Sequence, residues 1–106
     1  MARALVNVPP KVRAGDLVEI KALVQHPMET GFRTGPDGQL VPRHIISRFL
    51  CTFEGAEVFS ADLHPAVAAN PFLSFTMRAT SSGTLTLRWF DDRGGGQVET
   101  AAIVVE

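Results

Sequence analysis

Cys51, His26, His44, His64, Met28 and Met77 are side chains able to ligate a soft metal or handle sulfur. A blue-copper site takes two His, one Cys and usually a weak axial Met close in space, so the residue types suffice for one. Their spacing argues against it. Such sites cluster Cys, His and Met on one loop between late strands. Here the single Cys falls inside a strand-like run, and Met77 alternates with Leu73 and Phe75 on a core-facing set. His26 and His64 both precede proline at strand ends, where a side chain commonly bonds a loop carbonyl. A lone thiol could be a nucleophile or a sulfur-handling group. Cys51, however, shares parity with Phe49 and Phe53 and is expected to point into the core as a small hydrophobe. The chain contains no Gly-x-Ser-x-Gly, His-Glu-x-x-His, Cys-x-x-Cys or phosphate-loop pattern. Gly94-Gly95-Gly96 reads as a hairpin turn, and the adjoining Asp91-Asp92 as solvated turn carboxylates. Nothing local argues for an enzyme or a cofactor; a small periplasmic copper- or thiol-dependent redox protein is the alternative function these residue types leave open.

Seven segments read as strands, and none of helical length shows a 3.6-residue period. They are Ala4 to Val8, Leu17 to His26, Ile45 to Phe53, Glu57 to Leu63, Phe72 to Ala79, Thr84 to Asp91 and Gln97 to Val105. Pro9-Pro10, Ala14-Gly15-Asp16, Glu54-Gly55, Ser81-Ser82-Gly83 and the glycine run after Arg93 favour chain reversal between them. In the second, Val18, Ile20, Ala22 and Val24 share one face while Glu19, Lys21 and Gln25 share the other. Leu85, Leu87 and Trp89 likewise oppose Thr84, Thr86 and Arg88. Seven short alternating strands in one chain of 106 residues predict a single all-β domain over residues 1–106, a two-sheet sandwich of immunoglobulin-like (fibronectin III-like) kind.

One connection is out of proportion. Between His26 and Ile46 the chain runs through about 18 residues, where a compact domain usually spends ~4–6. Met28, Phe32, Leu40 and Val41 can bury area there, and Gly31, Gly35, Gly38, Pro36 and Pro42 set turns, so the segment is expected to fold back on the domain.

Three strands break the one-sided pattern. Ile45, Phe49, Cys51 and Phe53 make one face of the third, yet Ile46 and Leu50 make the other apolar as well. Phe90 stands on the outer side of the sixth, and the seventh is apolar on both. In immunoglobulin order these three strands lie side by side, giving one sheet a second apolar side. Apolar area is worth ~25 cal/mol per Å² when buried, so a permanent protein partner is expected there, with the long loop as the other possible cover. Arg48 and Arg88 project from the same face, and Arg33 and Arg43 flank the loop. Arginines within an apolar patch serve either as interface anchors or as ordinary surface charges. The candidate partner face is therefore Ile46, Arg48, Leu50, Arg88 and Phe90, with loop residues Met28, Glu29, Arg33 and Arg43.

Ten basic against 11 acidic residues give a net charge of −1, which carries no footprint of nucleic acid or membrane surface. No run approaches the ~18–20 apolar residues of a membrane span, and the opening Met-Ala-Arg-Ala-Leu-Val, with neither a long apolar stretch nor a small-residue cleavage site, is not expected to act as an export signal. The single Cys excludes an internal disulfide.

The order His26-x-Met28-Glu29-Thr30-Gly31-x-Arg33, then Asp37-Gly38 and Pro42-Arg43-x-Ile45-Ile46, then Asn70-Pro71-Phe72 and Trp89-Phe90-Asp91-Asp92-x-Gly94 resembles the SoxZ family over nearly the whole chain. That resemblance implies the smaller subunit of the SoxYZ carrier complex of bacterial thiosulfate oxidation. In that family the partner SoxY carries sulfur intermediates on a cysteine of a flexible C-terminal Gly-rich arm, and SoxZ is its immunoglobulin-like, non-catalytic companion. It further implies a SoxY heterodimer or higher assembly, transient docking to other periplasmic Sox enzymes, and export together with the partner. This chain has no Gly-Gly-Cys-Gly-Gly arm of its own.

Overall fold

The computed structural model describes residues 3–64, 67 and 69–106. The reading of the chain's opening falls partly on Met1 and Ala2, outside these, as does Pro65 after His64. Seven strands form: β1 (Arg3–Asn7), β2 (Leu17–Gln25), β3 (Ile46–Phe53), β4 (Ala56–Asp62), β5 (Phe72–Arg78), β6 (Gly83–Asp91) and β7 (Gly96–Ile103). They build two antiparallel sheets, ordered β1-β2-β5 and β4-β3-β6-β7, with no helix among the described residues. The architecture is the immunoglobulin-like sandwich, and β3, β6 and β7 do lie side by side.

Alternation decides which face each strand buries. Val18, Ile20, Ala22 and Val24 of β2 face Phe49 and Cys51 of β3 and Leu85, Leu87 and Trp89 of β6 in a single core. Phe49 is its hub, with ring centroids 5.2 Å from Trp89, 5.8 Å from Phe75 and 6.2 Å from Phe59. Phe59 of one sheet stacks on Phe75 of the other at 4.6 Å, so aromatic contacts bridge the sandwich. Proline ends β1, since Pro9 and Pro10 have no amide to continue a ladder. The chain then changes sheets: Val12 pairs parallel with Val105, donating to the Val104 carbonyl at 2.9 Å.

The entry to β3 departs from simple alternation. Ile46 lies opposite Asp91 and Arg48 opposite Phe90, leaving Ser47 as an extra residue on β3. Such a bulge resets parity, so Ile46 and Phe49 both point inward although three positions separate them. Ile46 is 1% exposed. Its expected place on the outer partner face is therefore corrected: Ile46 is a core residue.

Candidate partner-binding surfaces

The long connection does not fold over the domain. It folds on itself into an irregular hairpin, hereafter the arm. Glu29 bridges His44 at its root, Thr34 bridges Leu40 farther out, and Val41 donates to the Arg33 carbonyl at 2.8 Å. Gly35 donates to Gln39 and Gly38 donates back to Gly35 around the tip. Gly31 takes a φ of +90°, and a Cβ there would sit 3.2 Å from that of Arg43, so the two arm strands approach closely only because this residue is glycine. Phe32 is 84% exposed and Leu40 63%, contrary to the expected burial. Of Met28, Phe32, Leu40 and Val41 only Met28 is buried in the core, with its sulfur accepting the Ile46 amide at 3.2 Å. Met28 is corrected accordingly from partner contact to structural anchor.

Charged arm residues brace the arm. Arg33 grips Glu29 through both carboxylate oxygens, at 2.7 and 3.1 Å, and this bond holds the Glu29 carboxyl below its usual range. Arg43 Nε donates to Asp92 Oδ2 at 2.9 Å, and Arg93 Nη2 donates to the Arg43 carbonyl at 3.0 Å. Arg33, Arg43 and Arg93 keep part of their side chains in solvent.

The β6–β7 turn clasps the arm root. Asp91 Oδ1 accepts the amides of Arg93 and Gly95, while its Oδ2 meets His44 Nε2 at 3.2 Å. Asp92 Oδ1 accepts the Ile45 amide at 3.1 Å. Burial works to raise both carboxyl pKa values, but these bonds outweigh it and both end lowered. The two are thus tie-points with 13% and 12% of their side chains exposed, and the expected solvated carboxylates are corrected. Gly96 closes the turn, where any Cβ would overlap the Trp89 carbonyl.

On the outer face of the four-stranded sheet, Leu50, Arg88 and Val98 stand in one cross-strand row, and Arg48 and Phe90 in the next. Phe90 is 40% exposed and Val98 50%, while Leu50 is half-buried. Arg48 and Arg88 are exposed, and neither joins an ion pair among the described residues. The arm leaves this face open. It is a mixed surface of aliphatic, aromatic and cationic groups, with Val98 an added member.

A second apolar row lies on the three-stranded sheet. Leu5, Leu23 and Phe72 are direct cross-strand neighbours, lining a hollow of about 440 Å³. The sequence held its signal: Leu23 interrupts the outward polar set Glu19, Lys21 and Gln25.

The chemistry-bearing residues stay apart or are disarmed. Cys51 is fully buried between Phe59 and Leu87, and burial pushes its thiol up to about 11. His26 and His44 do meet, with ring centroids 4.7 Å apart, beside a hollow of about 340 Å³ that both line. His26 Nδ1 accepts the Met28 amide at 3.0 Å, an amide rather than the expected carbonyl. An amide can only donate, so Nδ1 is bare and the ring's proton sits on Nε2, where a metal would need a lone pair. No group of three His, Cys, Asp or Glu among the described residues is placed to hold a metal ion.

The family model for "Sulphur oxidation protein SoxZ" matches residues 6–102. The chain belongs to the SoxZ family. That membership carries a role in sulfur oxidation. No curated protein matches this chain in sequence. Among solved structures it is similar to a superoxide reductase (neelaredoxin) of Ignicoccus hospitalis, at 22% identity and TM-score 0.76 over 97% of this chain and 80% of that one. A putative superoxide reductase of Thermotoga maritima gives 21% identity and 0.71, covering 97% and 85%. The sulfur carrier protein SoxY of Chlorobium limicola gives 16% and 0.65, covering 97% and 78%. At these identities the likeness is one of fold.

Proposed function

We propose that this chain, as one domain over residues 1–106, is the non-catalytic subunit of a periplasmic SoxYZ sulfur carrier complex, and that it binds SoxY through the outer face of its four-stranded sheet. Membership of the SoxZ family supports the partnership. The observation that supports this face is the pair of arginines, Arg48 and Arg88, without an ion-pair partner among the described residues and interleaved with Leu50, Phe90 and Val98. Apolar area there gains by leaving water, and guanidinium forks supply directional grips on carboxylates or carbonyl oxygens. Arm residues Glu29, Arg33 and Arg43 form a second contact at the end of the sandwich, for SoxY or for enzymes that dock transiently.

The division of labour is physical. A cysteine arm that must enter deep active sites needs mobility, and mobility needs a rigid origin that enzymes can recognise. This chain is half of that base, and sulfur never attaches to it: its thiol is sealed in the core and almost wholly protonated at neutral pH. Export occurs with SoxY as a folded pair.

Co-expression with tagged SoxY tests the reading. A stoichiometric complex is the expected product, and Leu50→Asp should release free chain on size-exclusion chromatography. A wild-type chain that elutes alone beside folded SoxY would sink the proposal.

A further inference from the structure

His26 is 5% exposed, and its Nε2 is enclosed with no hydrogen-bond partner among the described residues. The ring is fixed by its own backbone: the His26 amide donates to Asn70 Oδ1 at 2.9 Å, and the Asn70 amide donates to the His26 carbonyl at 2.8 Å. Held so, its Nδ1 is the acceptor for Met28, which turns the chain out of β2 in a left-handed conformation, with φ 52°. Met28 in turn receives the Ile46 amide on its sulfur, linking the outgoing arm strand to the returning one. One imidazole lone pair therefore seats the outgoing strand of the arm and bears through Met28 on the returning one, which the Asp91 and Asp92 clasp also holds.

We infer that the arm root is a proton-operated latch: a proton taken up at His26 Nδ1 replaces the acceptor that seats Met28 with a second donor and loosens the arm root against the sandwich. Two N–H groups then face each other at hydrogen-bond distance, and the residue that loses its bond already holds an unfavourable φ. Around His26, the charged and titratable groups among the described residues are His44 on the returning arm strand and Asp91 and Asp92 on the β6–β7 turn, with Arg43 and Arg93 bonded behind them. His44 opposes the new charge and the two carboxylates favour it. Burial and His44 prevail, so the proton arrives below the ordinary histidine range. Both aspartates stay ionised there, since their own pKa values are lowered from 3.8. The arm carries the exposed Phe32 and Leu40, so the latch sets how rigidly this apolar tip is presented to a partner.

Hydrogen exchange and imidazole NMR on the full chain between pH 7.5 and 4.5 test this directly. Protection of the Met28, Glu29, Val41 and His44 amides, corrected for intrinsic exchange, should fall at least tenfold, with the midpoint of the His26 titration, while β3 and β6 core amides hold. In His26→Asn the side-chain oxygen keeps an acceptor near Nδ1 but takes no proton, and protection should become flat with pH. His44→Gln should keep the transition. Protonation of His26 without arm loosening, flat protection in the wild type, or the same loss in His26→Asn would each overturn the latch.

Discussion

The Met28 amide donates to His26 Nδ1 at 3.0 Å, and this bond between residues two apart fixes both the tautomer of a buried imidazole and the direction in which the chain leaves β2. One consequence is a pH-dependent stability. His26 has a folded pKa below its ordinary value of 6.5. Between the two values the unfolded chain binds more protons, so the stabilisation is complete above pH 6.5 and is lost as pH falls through that value toward the folded pKa. Asp91 and Asp92 add a second loss only below about 3.8, their ordinary value. Urea midpoints from pH 8 to 5 should decline in the wild type and decline less in His26→Asn; parallel profiles would remove His26 as the cause.

Ile46 and Leu50 separate packing from docking. Ile46→Ala removes a fully buried side chain and should cost about 2–5 kcal/mol in urea unfolding. Leu50→Ala, on a half-buried surface position, should cost about 1 kcal/mol or less. Equal losses at the two sites would contradict the inward turn of Ile46 at the Ser47 bulge.

Cys51 should be chemically silent. With a thiol near 11 only about a thousandth is thiolate at pH 8, and the sulfur has no access to solvent. A thiol reagent should label the native chain many-fold more slowly than the urea-unfolded one. Cys51→Ala should leave sulfur-dependent turnover of the intact complex nearly unchanged. Rapid native labelling, or lost turnover in a folded variant, would return this sulfur to the chemistry.

Much of the sandwich was legible because a period of two is written into β2, β5 and β6, and a single slip would expose Val18, Ile20 or Trp89. The inward face of β3 was legible only from Phe49 onward. Ser47 carries no mark of a bulge, so alternation counted back from Phe49 put Ile46 outside. The arm was visible as an excess of length, but its bonding partners were not. Arg43 is joined to Asp92 and His44 to Asp91 across almost fifty positions of sequence, and local spacing holds no trace of such a clasp. Leu23 was the opposite case: the outward row it forms with Leu5 and Phe72 could be read from strand parity.

Two apolar rows now compete as the site of the partner, and one measurement separates them. The affinity of the chain for SoxY, determined for Leu50→Asp and Phe72→Asp, should fall at least tenfold, about 1.4 kcal/mol, for the first and stay within twofold for the second. An unchanged affinity for Leu50→Asp, with the loss appearing at Phe72→Asp, would contradict the assignment of the four-stranded face and move the partner to the other sheet.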